Sequence, residues 1–244
     1  MYDPSWSLAT HISVFVVSAA IVAVVGTRLA GAAAVLARRT GMGQAVTGAL
    51  FLGASTSLSG IVTSVAAAAG GHPELAASNA VGGIAAQTVF LAIADRLYRK
   101  ANLEHAAASD ENMLQGALLI GLLSLPLLSA FAPEVALFGV HPTSIVILVA
   151  YVLGQRLIIV AKGQEMWQPR MTEQTHRERQ HEPGGAPAKG EPSLAVVWAS
   201  FAAAAIAVGV SGYFLAQSGV AVADRTGLSE TVLGGLFTAV TTSF

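Results

Sequence analysis

Residues 39–57, RTGMGQAVTGALFLGASTS, recur without a gap at 225–243 as RTGLSETVLGGLFTAVTTS, with nine identities in nineteen positions. The identical pairs are Arg39/Arg225, Thr40/Thr226, Gly41/Gly227, Val46/Val232, Gly48/Gly234, Leu50/Leu236, Phe51/Phe237, Thr56/Thr242 and Ser57/Ser243. Two unrelated Ala/Gly-rich helices would not match so closely, so the chain contains a duplicated unit. Both copies lie in apolar runs that exceed the roughly 18–20 residues needed to cross a bilayer. Charged residues make up only 11% of the chain, against about 25% in a typical soluble domain. The runs are apolar nearly all round, which excludes a soluble core built from amphipathic stripes.

Reading along the chain, span one runs from about His11 to Ala37, closed by Arg38 and Arg39. No Lys or Arg precedes it, as a secretory signal would require. Arg28 is the one ionisable residue well inside this run, and it reads as a snorkelling side chain where the helix bends into the interface. Span two is Gln44–Ala69, span three Leu75–Asp95, span four Asn112–Phe131 and span five Thr143–Ala161. Residues 162–192 are rich in Gln, Glu, Arg, Pro and Gly, which predicts a solvated, disordered loop. Span six is Ser193–Val222, and Glu230 opens span seven, in which the sequence stops.

Charge placement predicts the orientation. Lys and Arg cluster after span one (Arg38, Arg39), span three (Arg96, Arg99, Lys100) and span five (Arg156, Lys162, Arg170, Arg177, Arg179, Lys189). The loops after spans two and four have none. By the positive-inside rule the N-terminus is outside and loop 162–192 is cytoplasmic. Span one aligns with span six and span two with span seven, so the repeat unit is five helices. An odd number of crossings inverts the second copy, an arrangement typical of secondary transporters with midplane sites. The expected domains are a first five-helix repeat (1–161), the cytoplasmic loop (162–192) and the start of a second, inverted repeat (193–244). The fold class is an all-α, polytopic transmembrane helical bundle in a bacterial inner membrane or a plasma membrane.

The residues that could carry chemistry are small and polar. Gly53, Thr56, Ser57, Gly60 and Ser64 share one face of span two, and Asn79, Gly83 and Gln87 recur at i, i+4, i+8 on span three. Hydroxyls, amides and approachable carbonyls are the oxygen ligands a partly dehydrated cation needs. The alternative is packing, because small residues let membrane helices touch and Ser/Thr can bond their own backbone. The run Gly53–Gly60 allows the helix to break at mid-membrane. There is no cysteine, no nucleophile–base pair, no phosphate loop and no metal-ligand cluster beyond His176 and His181 in the polar loop. An enzyme is not expected, nor is a bound cofactor. The basic clusters are membrane flanks, so nucleic-acid binding is not expected; protein partners are not legible.

These residues resemble the cation/calcium exchanger superfamily, which includes the sodium/calcium exchangers. Its repeats look like G-x-x-x-x-A-x-G-T-S-x-P-E on one helix and G-N-x-x-G-S-x-x-x-N on the next. Here the first helix reads GALFLGASTSLSG (48–60), the next SNAVGGIAAQ (78–87) and the C-terminal copy GGLFTAVTTSF (234–244). The resemblance implies a ten-helix antiporter whose two repeats bind cations between them and alternate access as spans one and six slide over the core. It implies that Thr56, Ser57, Thr242 and Ser243 are cation ligands, that Gly53 and Ala239 offer backbone carbonyls, and that Gln87 stands where the family has Asn or Asp. The transported ions would be Na⁺, Ca²⁺ or H⁺. The family's Glu is Gly60 here and its ligand Ser is Gly83, so this half lacks the acidic ligand. On this resemblance the chain looks like the first seven helices of a longer protein. A family member that has kept the fold and lost transport, acting in assembly or sensing, is the alternative.

Overall fold

The computed structural model describes residues 5–40, 49–98, 110–131, 140–161 and 192–243, and they are helical almost throughout. Helix α1 is Leu8–Arg39, α2 Ala49–Thr56, α3 Leu58–Ala69, α4 Pro73–Leu97, α5 Asp110–Ser129, α6 Pro142–Ala161 and α7 Leu194–Thr226. The final helix, α8, starts at Glu230–Val232, continues as a π-helical stretch over Leu233–Thr238 and returns to α-helix over Ala239–Thr242. Helices α1, α4, α5, α6 and α7 are long and apolar enough to cross a membrane. The polar loop expected at 162–192 lies outside the described residues except for Pro192.

The ends of α1 and α7 are specified in the same way. Ser7 and Ser193 take extended backbone and accept from the amides of Thr10 and Val196, satisfying donors that a helix start leaves open. The two serines are counterparts under the duplication, so both long helices begin at the same place in their copies. At the other end Gly227, with φ 73°, closes α7 in the left-handed conformation that glycine adopts without penalty.

The chain divides into two compact units, Met1–Ala94 with Gln180–Phe244, and Asp95–Arg179. In the first, α1 and α7 are the most extensively packed pair, and they run antiparallel. The Arg39 guanidinium donates to the Pro192 carbonyl at 2.7 Å, Leu29 packs on Ala204 and Val208, and Phe15 lies beside Gly219. The counterparts Val22 and Val208 are both buried, as are Leu29 and Leu215. Antiparallel packing of two copies with matching buried positions is the arrangement an inverted repeat requires. The ring of Phe51 on α2 meets Phe201 of α7 at 5.0 Å between centroids, with Trp198 beside them.

Helix α3 packs on α7 through close backbone approach. Thr63 Oγ1 donates to the Gly212 carbonyl at 2.9 Å, and a Cβ at Gly212 would lie 2.7 Å from the Ser59 carbonyl oxygen. Small residues are what allow membrane helices to meet at this distance. Ala67, Leu75, Ala76, Ala216 and Val220 complete the contact near the α3–α4 turn. In the second unit, α5 packs along α6, with Leu118 filling the space that a side chain at Gly154 would need. Arg28 is exposed on an α1 that runs without interruption through it.

Candidate cation site

The predicted break in span two is at Ser57, which separates α2 from α3 with φ −91° and ψ 2°. Its counterpart Ser243, the last of the described residues, has φ −98° and ψ 2°. The backbone bonds carry on through the first break: Ser57 N–H donates to Gly53 O at 3.0 Å, and Ile61 N–H to Ser57 O at 2.9 Å. The helix is therefore interrupted here without being unwound.

The threonine of each Thr-Ser pair bonds the carbonyl of the small residue three positions back, and in the second copy the serine bonds it as well. Thr56 Oγ1 donates to the carbonyls of Leu52 and Gly53, both at 3.1 Å. Thr242 Oγ1 donates to Ala239 O at 3.4 Å and Ser243 Oγ to the same carbonyl at 2.7 Å. A hydroxyl whose proton is directed at a carbonyl keeps its lone pairs for another partner. The same geometry is what Ser/Thr adopt when they only satisfy a helix backbone, so these bonds serve packing as well as ligation.

Helix α8 brings the second copy onto α3 and α4. Asn79 of α4 is the junction: its Nδ2 donates to Ser64 Oγ at 2.9 Å and Gly60 O at 3.3 Å, and its Oδ1 accepts from Thr238 Oγ1 at 2.7 Å. Asn79 and Thr238 are buried. Ser59 Oγ donates to Thr242 O, and Ser243 Oγ to Gly83 O, each at 3.3 Å. The helices meet at glycines. A Cβ on Gly82 would overlap the Gly235 backbone, and one on Gly234 would overlap Ser78 Oγ.

Thr242, Ser243 and Ala239 therefore come together with Gly60 and Gly83, the two positions that lack the resemblance's ligand side chains. The missing Cβ of Gly60 would lie 3.4 Å from Thr242 Oγ1, and that of Gly83 would lie 3.6 Å from Ser243 Oγ. Gly53, Thr56 and Gln87 stand apart on exposed surfaces of α2 and α4, and Ser57 is half-buried. Neutral oxygens line the cluster, and no carboxylate enters it from the described residues. Among those residues, no group of three or more His, Asp or Glu comes together.

Thr238 and Ser59 were not singled out by the sequence. Thr238 has Leu52 as its counterpart, so the duplication gives no reason to mark it. Ser59 carries the signal of a polar residue two positions after the break, on the side of α3 that faces α7 and α8.

The fold defines a polytopic helical membrane protein in which two copies of a hydroxyl-bearing helix occur in one chain. Residues 10–160 match the sodium/calcium exchanger protein family, and because this is more than half of the chain, the protein belongs to that family. No curated protein and no solved structure matches it.

Proposed function

We propose that the protein is a secondary-active cation antiporter working by alternating access, with the ions held at mid-membrane between the two copies. The observation that carries this reading is the Thr-Ser pair that ends at Ser57 in one copy and at Ser243 in the other. Each serine is preceded by a threonine whose hydroxyl bonds the carbonyl of the small residue at 53 or 239. Family membership supports cations as the substrate class. The ligands on this reading are the carbonyls of Gly53 and Ala239, the hydroxyls of Thr56, Ser57, Thr242 and Ser243, and the Gln87 amide. Gly60 and Gly83 contribute no side chain. Sites without charge bind divalent ions weakly, because the number of charged ligands strongly tunes Ca²⁺ affinity. The N-terminus lies outside and residues 162–192 are cytoplasmic, in keeping with the Lys/Arg distribution. Differential ion affinity of the two facing states drives the exchange.

A second reading, a family member that has kept the fold without transport, is favoured by one observation. The cluster around Asn79 is closely packed and its polar groups are already bonded to each other. Calorimetric titration of the purified full-length protein with Na⁺ and with Ca²⁺ separates the two. Cation binding that weakens at least about tenfold in Thr242→Val supports the antiporter site; absence of binding for either ion supports the second reading.

A further inference from the structure

On the face of the molecule away from the Arg39–Pro192 contact, a titratable pair joins the first copy to the second. His72 Nδ1 lies 2.6 Å from Glu230 Oε1. We propose that His72 and Glu230 form a proton-dependent latch that holds the start of α8 on the α3–α4 turn, tight when the imidazole is protonated and loose when it is neutral.

Both partners are rigidly mounted. His72 follows Gly71, whose φ of 87° places the turn in the left-handed region, and the His72 amide donates to Ala67 O at 2.9 Å. Glu230 is the first residue of α8, where Ser229 caps the helix by accepting from Val232 N–H at 3.3 Å. A carboxylate in a helix's first turn also meets the positive end of its dipole. The side chains retain 28% and 23% of their exposure, so water reaches the pair to exchange a proton while screening it less than at an open surface.

The sign follows from the chemistry of the bond. Imidazole is the side chain whose charge changes between about pH 5 and 8. With His72 charged, the contact is a charge-assisted hydrogen bond, roughly twice as strong as a neutral one. With His72 neutral, it survives only as an ordinary hydrogen bond in one tautomer. The other ionisable groups on the elements around the pair are Glu74 in the first turn of α4, Asp224 and Arg225 at the end of α7, and His11 near the start of α1. Glu230 is the carboxylate within hydrogen-bond distance of the ring. The buried bond from Thr238 Oγ1 to Asn79 Oδ1 at 2.7 Å joins groups that carry no charge and keeps α8 on α4 in either state. The latch therefore tunes this contact without making or abolishing it.

The test is hydrogen–deuterium exchange of the full chain in nanodiscs at pH 5.5 and pH 8, corrected for intrinsic exchange rates. Peptides covering 70–78 and 228–234 are expected to gain about threefold protection at the lower pH, the scale of a partly exposed ion pair. In His72→Gln and in Glu230→Gln the gain is expected to vanish, leaving both at the wild-type pH 8 level. Equal wild-type protection at the two pH values, or an acid gain that survives in either variant, overturns the proposal. Ion transport is not needed for this readout, so it stands or falls separately from the antiporter reading.

Discussion

Asn79→Ala tests whether the buried amide is what fastens α8 to the rest of the molecule. The side chain makes hydrogen bonds to Ser64, Gly60 and Thr238, two within its own copy and one to α8. In membrane proteins a side-chain hydrogen bond between helices contributes about 0.6 kcal/mol on average and up to about 1.7 kcal/mol. Losing the three together is expected to cost about 2 kcal/mol. The bond to Thr238 is buried and the shortest of the three, so it belongs near the upper end of that range. Thr238→Val removes the same bond from the other side with little change of shape. A double-mutant cycle is therefore expected to return a coupling energy of about 1 kcal/mol or more. Reversible unfolding in mixed dodecyl maltoside–SDS micelles, followed by tryptophan fluorescence, measures all four corners. Additivity of the two substitutions to within about 0.3 kcal/mol, the behaviour of independent sites, would refute the junction.

Two further outcomes follow from the same geometry. Gly82→Ala would drive a methyl group into the Gly235 backbone and is expected to cost about 1–3 kcal/mol in the same unfolding assay, whereas Gly209→Ala, whose nearest neighbour is a Val62 methyl at 4.0 Å, is expected to stay within about 0.5 kcal/mol of wild type. Gly60→Glu finds ordinary van der Waals contact at its Cβ and supplies the charge that the proposed site lacks, so calorimetry on the full-length protein is expected to show Ca²⁺ binding tightened by at least about tenfold; unchanged Ca²⁺ binding would count against Gly60 as part of the site.

Much of the architecture was legible because a bilayer imposes long apolar runs. Span three was expected at Leu75–Asp95 and is Pro73–Leu97, and span six was expected at Ser193–Val222 and is Leu194–Thr226. The small residues also located the special backbone: the run Gly53–Gly60 allows the helix to break, and the break falls at Ser57. What the duplication could not reveal is where the two copies differ. Leu52 lies in regular α-helix, while its counterpart Thr238 lies in a π-helical stretch and bonds Asn79. A π-turn shifts the side chains that follow it, and no residue type in Leu233–Thr238 announces it. Periodicity likewise placed Gln87 on the face of Asn79 and Gly83; among the described residues α8 bonds Asn79 and Gly83, and Gln87 is exposed. Which residues share a helix face is set by the helical repeat.

The most direct test of the proposed activity is ion flux. The full-length protein in liposomes is given an outward Na⁺ gradient, then an outward H⁺ gradient, and uptake of radioactive calcium is followed. The account predicts gradient-driven uptake under one of the two conditions, lost when Thr56 and Thr242 are both replaced by valine. Folded protein that shows no uptake under either gradient would contradict calcium exchange.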